Sequence, residues 1–392
     1  MAHQQRPPIG QGWVMLLECL SVGRAISLPA LSTGAGKHCC LTTGAYAAIR
    51  QQFGRSIADF EGVQEALEPI AGYSYMMDAA RRMTAAMLDR GVKPAIPSAL
   101  LKYRNTDLMR DVVNNAMDVV AGRAVIAGPR NFLARVYQSL PISITVEGAN
   151  ILTRSLMVFG QGAIRCHPYL VQEIEAASAE PSSKVVKQFD QAFFGHTAHA
   201  LSNVLRSFGL ALSFGYLSKA PSEGGLQNHY RKLNRFSASF AMLTDVSLAV
   251  IGGNLKARER LSGRMADCLV SLYYASAVLK RFHDTGYPES QRVLVEWGMK
   301  RCLYDVQMSL NDIIANYPQT WLRPLLRVLV FPLGLRLSPP SDTLGQQVAQ
   351  TITRPGEVRD ALTAGIHLNE DPDDPVGRVL NAFNLHNQTA AL

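Results

Sequence analysis

An all-α fold is predicted for this 392-residue chain on three observations. Long stretches carry apolar residues at spacings of three and four, and almost none alternates as a half-buried strand does. Hydrophobic residues make up 47% of the chain and charged residues 18%, which supplies a large core and excludes disorder as a description of the whole. Gly and Pro clusters punctuate the periodic stretches and mark their ends.

In chain order, Val22 to Gln52 is the first long helical candidate. Tyr73–Arg90 follows, with Tyr75, Met76, Ala79, Ala80, Met83, Ala86 and Met87 on one stripe. Asp78, Arg81, Arg82 and Asp89 lie between them as a solvated face. Gly91 and Lys93-Pro94 end that helix. Ala99–Ala124 repeats the pattern to a stop near Gly122. A fourth helix is expected from about Ala149 through Thr153, Leu156 and Met157 towards Gly160. Four helices joined by short loops fit a bundle. The small, polar run EAASAEPSSK (Glu175–Lys184) reads as a linker, placed at 176–184, which closes a first domain at 10–175. A second, mostly helical region is expected over 185–338, interrupted at Pro221–Gly225 and Gly252-Gly253. Residues 339–392 read as an irregular acidic tail with short helices, NEDPDDP (Asn369–Pro375) being a solvated loop.

The net charge of +8 is uneven: residues 184–336 carry +9 and residues 337–392 carry −4. A basic middle suits a phosphate-bearing ligand or an anionic membrane. It does not suit nucleic acid, because the basic residues are not interleaved with exposed aromatics or glycine-rich loops. The six cysteines (Cys19, Cys39, Cys40, Cys166, Cys268, Cys302) form no CxxC pair, so a reduced, cytoplasmic setting is expected. The first residues show no secretory pattern, and no uninterrupted apolar run is long enough for an ordinary transmembrane helix.

GxSxG, HExxH and strand-borne GxGxxG signatures are absent. Gly34-Ala35-Gly36-Lys37 has the wrong spacing for a phosphate loop and reads as a glycine-eased helix contact. His196 and His199 lie one turn apart without a carboxylate or third histidine nearby in sequence, so no metal is expected. The most unusual stretch is Pro141–Gly160, whose only charges are Glu147 and Arg154. A carboxylate among Ile144, Val146, Ile151 and Leu152 is costly to desolvate, and apolar surroundings in general raise a carboxyl's proton affinity towards that of a useful base. Gly148 permits close backbone approach to a ligand. A solvated helix cap at Glu147 accounts for the same residues.

Three motifs then occur in order. YAAIRQQFGRSIADFEGVQEAL (Tyr46–Leu67) is similar to the Y-x3-R-x2-FG-x-x-I segment of acyl-CoA dehydrogenases. DVVAGRA (Asp118–Ala124) occupies the place of that family's Q-x-x-GG flavin segment, and VEGAN (Val146–Asn150) the place of YEGT. The chain resembles the C-terminal helical domain of the family, in the bacterial form with a long C-terminal extension, which ITVEGANILTRSLMVFGQGAIRCHPY (Ile144–Tyr169) marks. The resemblance implies a four-helix bundle with a helical extension, FAD as cofactor, and oxidation of a fatty acyl-CoA to the trans-2-enoyl-CoA in fatty acid β-oxidation. Electrons would pass to an electron-transfer flavoprotein, and the enzyme would be a homodimer or higher homo-oligomer.

By the same resemblance, Glu147 is the base that takes the α-proton and Arg24 lies beside it. Some relatives place the base on an earlier helix, at a position that is Gly23 here. Arg50 and Phe53 would reach the flavin of the neighbouring subunit, Arg50 through the pyrophosphate. Asp118 and Gly122 would belong to the flavin segment, and Ala149 and Asn150 would lie near the flavin. Asp118 and Ala121 depart from the Gln and first Gly of Q-x-x-GG, and Ala149 from the Thr of YEGT. The family's N-terminal helical domain and middle β-domain have no counterpart here, so the chain is expected to be a fragment of a complete enzyme that binds flavin weakly alone. Trp321–Leu337, WLRPLLRVLVFPLGLRL, suits a peripheral contact with the inner face of a membrane. The alternative class of function is a non-catalytic helical module for oligomerisation or membrane docking.

Overall fold

The computed structural model describes residues 23–92, 94–162, 167–180, 182–369, 371 and 373–390. Cys19, Cys166 and Pro181 lie outside the described residues. Two compact units emerge, one from residues 1–150, 288–297 and 341–392 and the other from 151–287 and 298–340.

The first unit is built on three long helices: α1 (Ser27–Ile49), α2 (Glu61–Asp89) and α3 (Ala95–Val120). α1 carries small residues where neighbours come closest. Gly36 faces Ser74 and Met77 of α2, so GAGK is a helix contact and not a phosphate loop. Lys37 Nζ donates to Ala364 O at 2.8 Å. Cys39, Ala45, Leu67, Ile70, Met77, Leu101, Leu108 and Val112 form the dry centre. α2 starts twelve residues before Tyr73, its amphipathic pattern running straight through Pro69. Asp78 departs from the expected solvated face: it is buried, with Arg81 Nη2 at 2.7 Å and Arg82 Nε at 2.9 Å. Both arginines lie within one turn, so the charge goes inward already paired.

A two-residue turn, Phe53-Gly54, joins strands β1 (Gln51–Gln52) and β2 (Arg55–Ser56), which pair antiparallel. The unit continues with α4 (Gly122–Val125) and α5 (Ala134–Thr145). A further helix, α6 (Asn150–Leu152), runs on as wide π-type turns over Thr153–Gln161, near where the fourth helix was expected.

The compact units divide the chain differently from the boundaries drawn on the sequence. α7 (Leu170–Ser178) folds back on α8 (Ser183–Leu212), and both lie inside the second unit. The tail also does not stand apart. α13 (Asp342–Thr353), α14 (Glu357–Thr363) and α15 (Pro375–Ala390) pack on α1 and α2. Gly44 lets the helices approach closely, since a Cβ there would overlap the backbone of Ile352. Buried Arg359 donates to Cys40 O (3.2 Å), Leu41 O (2.8 Å) and Ile352 O (2.7 Å). Its partners are backbone carbonyls, which no sequence pattern announces.

The second unit adds α9 (Gln227–Ile251), α10 (Glu259–Asp284), the rest of α11 (Arg292–Ala315) and α12 (Leu322–Val330). Among the described residues α9 alone, continued to Ala257, is long and apolar enough by composition to cross a membrane, and half of that stretch is buried in the fold. Its one acid, Asp245, sits in a polar core. His167 Nδ1 accepts from the backbone N–H of Leu170 (3.1 Å) and Tyr169 (3.3 Å), capping α7. That leaves His167 Nε2 to carry the proton towards Asp245 Oδ1 at 3.3 Å. Asn203 donates to Asp245 Oδ2 (2.8 Å) and lies 3.0 Å from His199 Nε2. The sequence lacked a carboxylate and a third histidine near His196 and His199; the fold brings Asp245, Glu173 and His167. Because His167 already spends both ring nitrogens, the group reads as a hydrogen-bonded cap and not a metal centre.

Candidate active site

Glu147 follows α5 at φ +55° and Gly148 follows at φ +98°. This left-handed pair turns the chain sharply before α6. The turn is held from two sides. Arg24, itself buried, donates from Nε to Glu147 O at 2.7 Å. Lys102 of α3 donates to Gly148 O (2.8 Å), Ile144 O (3.2 Å) and Asn150 Oδ1 (2.7 Å). Both cations are spent on carbonyl and amide oxygens, so the Glu147 carboxylate is not clamped by either. Its Oε2 is buried and has no hydrogen-bond partner among the described residues.

The carboxylate occupies the space in front of Gly23. A Cβ placed on Gly23 would overlap both carboxylate oxygens. The two positions named as alternative homes for a base therefore converge on one spot, and this chain fills it from Glu147. The apolar neighbours expected around Glu147 are not there: Val146, Ile151 and Leu152 are exposed, and the setting is made by Gly23, Arg24 and Lys102 instead. Arg154 is also elsewhere, with Nε 2.8 Å from Asp267 in the second unit.

Sequence reasoning missed Lys102. It is fully buried, and burial pulls its amine down to about 8, with Asp107 and Glu147 opposing that shift. A signal was present: Lys102 falls in the register of Thr106, Met109, Val113 and Ala116, the inward face of α3. Asn150 differs from expectation in what it touches. It is 5% exposed, and its amide donates to Thr106 Oγ1 (2.9 Å) and Asp107 Oδ1 (2.9 Å), so the side chain holds the turn to α3. Ala149 is exposed beside it.

A second constellation lies at the other end of α1 and α3. Arg50 and Gly122 share a cleft of about 850 Å³ with Tyr46, Arg123 and Arg378. Asp118 is exposed and faces a separate hollow with Tyr137 and Gln138, away from the arginines. Phe53 projects from the hairpin tip at φ +52° and is 94% exposed. The paired positive φ of Phe53 and Gly54 (+79°) suits the tight hairpin.

The chain matches two family profiles, "Acyl-CoA dehydrogenase, C-terminal domain" over residues 10–158 and "Acyl-CoA dehydrogenase, C-terminal, bacterial type" over residues 164–392. It belongs to the acyl-CoA dehydrogenase family. Among curated relatives it is 24% identical over 292 residues to the probable acyl-CoA dehydrogenase FadE10 of Mycobacterium tuberculosis, covering 69% of this chain and 42% of that protein. It is 27% identical over 287 residues to the mitochondrial very long-chain specific acyl-CoA dehydrogenase of Mus musculus, covering 72% of this chain and 42% of that one. The chain thus spans about two fifths of the length of these relatives. In fold it is similar to an acyl-CoA dehydrogenase from Bacillus anthracis solved with FAD (TM-score 0.67, 16% identity, 88% of this chain and 57% of that one). An acyl-CoA oxidase of Arabidopsis thaliana gives a TM-score of 0.57 at 14% identity, over 98% of this chain and 55% of the other.

Proposed function

We propose that this chain carries the acid–base half and part of the cofactor cradle of an FAD-dependent fatty acyl-CoA dehydrogenase. The carrying observation is the buried, unpartnered Glu147 Oε2 beside Gly23. An unpaired carboxylate oxygen is a ready acceptor, so Glu147 takes the α-proton of the acyl thioester as the trans-2-enoyl-CoA forms. A flavin held through its diphosphate by Arg50, Arg123 and Gly122 would supply the hydride acceptor for the β-hydrogen. Arg24 and Lys102 fix the backbone that aims the carboxylate. Arg50, Arg123 and Gly122 fit the cofactor's diphosphate, since no carboxylate lines their cleft. This reading extends to an electron-transfer flavoprotein as acceptor, a homo-oligomer that lets Phe53 and Arg50 reach a neighbour's flavin, and the cytoplasm as the setting. The test is acyl-CoA-dependent bleaching of flavin by the chain joined to the amino-terminal region its longer relatives possess. Glu147→Gln is expected to abolish bleaching while flavin stays bound; an unchanged bleaching rate removes the base assignment.

A second reading, peripheral membrane contact, is favoured by α12. Trp321, Leu325 and Val328 are exposed on one face beside Arg327, while Leu322, Leu326 and Val330 point inward. Phe331 is buried and belongs to the core, not to a lipid face. Polar replacements at Trp321 and Leu325 should weaken sedimentation with anionic vesicles; a parent chain that never sediments ends this reading.

A further inference from the structure

The cleft at Arg50 contains a cation that the family's motifs do not supply. Arg378 comes from the first turns of α15, more than 300 residues from Arg50, and lines the same cleft as Arg50 and Arg123. Three guanidinium groups around one hollow repel one another unless anions intervene. Arg50 and Arg123 pair with no carboxylate among the described residues. Arg123 lies instead over the rings of Tyr46 and Phe132, 5.9 and 6.0 Å from their centroids. Among the described residues Arg378 has one side-chain partner, Asp373 Oδ1 at 3.3 Å, whose side chain is 87% exposed. Asp374 next to it is committed to capping α15, accepting from the backbone N–H of Val376 (3.0 Å) and Gly377 (2.8 Å). An ion pair this open costs little to exchange for a phosphate.

Beside the arginines the cleft offers an apolar wall, Ile49, Ile57, Val120 and Val379, with the Tyr46 ring. Charge at one part and flat apolar surface at another match a nucleoside diphosphate. We infer that Arg378 and Arg123 join Arg50 as a three-arginine clamp for the diphosphate of an adenosine-diphosphate group, so that the acidic C-terminal segment closes the cofactor cleft. The inference rests on the cofactor reading above and adds to it Arg378, from α15. It also accounts for a motif lacking the Gln of Q-x-x-GG: charge from α4 and α15 takes over the binding that Asp118 cannot give.

Isothermal titration of the full chain with ADP, and separately with adenosine, tests this. ADP should bind, and more weakly as salt rises. Arg378→Ala and Arg123→Ala should each weaken ADP binding about 5- to 20-fold, Arg378→Glu more, with adenosine binding and the thermal unfolding midpoint unchanged. ADP binding that is lost in Arg50→Ala but equal to the parent in Arg378→Ala overturns the role of α15 and leaves the cofactor reading standing. A parent chain that binds neither ADP nor inorganic pyrophosphate overturns both.

Discussion

Glu147 stands on strained ground. A β-carbon-bearing residue at positive φ costs on the order of 1 kcal/mol or more, and here the Lys102 and Arg24 hydrogen bonds to the surrounding carbonyls offset it. Lys102→Met should therefore destabilise the first unit by about 2–4 kcal/mol, read from urea midpoints, and slow any turnover through the displaced turn. The pH dependence has a defined sign. The folded amine is lowered to about 8 from its ordinary value of 10.5, so the unfolded chain holds the extra proton between those values. The parent's stability relative to Lys102→Met should rise as pH climbs from 8 to 10.5; a flat difference would mean the amine is not shifted. Ala121 makes a second residue-scale case. It sits at φ +55°, ψ −135° where the family pattern has glycine. Ala121→Gly should stabilise by about 1 kcal/mol in thermal melts, because only glycine reaches that backbone region without penalty. The glutamate and Arg24 could be picked out of the sequence because motifs flank them. Lys102 showed in the sequence only as a cation on the inward register of α3; its partners, two backbone carbonyls and the Asn150 amide oxygen 42 to 48 residues away, form no motif with it.

Helices are the level at which the sequence was most informative. Apolar spacing placed α1, α2 and α3 within a turn or so at their C-terminal ends, because periodicity is a local property. The start of α2 was missed because Pro69 and the FG hairpin mimic a loop. α7, α8 and α9 show the opposite limit: what joins them is the Asp245 group, with His167 78 positions from its partner. Asp245 is buried, and hydrogen bonds from His167 and Asn203 hold its carboxyl below the ordinary value despite the opposing effect of burial. A depressed acid contributes stability above its unfolded pKa and loses it as pH falls through the folded one. Asp245→Asn should cost about 1–3 kcal/mol at pH 7, and the gap to the parent should close below about pH 4. A gap that stays constant down to pH 3 would show that the carboxylate charge is not what the network uses.

At the scale of the whole molecule, the fold class followed from periodicity and composition, while the grouping of helices into compact units did not. Contacts group the tail with the first bundle, through Arg359 on the α1 carbonyls and Gly44 against Ile352. Such contacts depend on shape and on backbone oxygens, which leave no pattern in a linear string. The acidic composition of 337–392 suggested solvation, yet this stretch forms three helices that bury apolar residues such as Val348, Ile352, Leu362, Val379 and Phe383. The same packing carries Arg378 to the cleft. The account as a whole turns on the spot shared by Gly23 and Glu147. The most direct measurement is the dehydrogenation rate of Glu147→Gly and of Glu147→Gly combined with Gly23→Glu, both in the chain joined to its relatives' amino-terminal region. The single variant should lose about 100- to 10,000-fold, and the pair should regain part of it because the new carboxylate reaches the same place. A single variant that turns over at the parent rate would contradict the account.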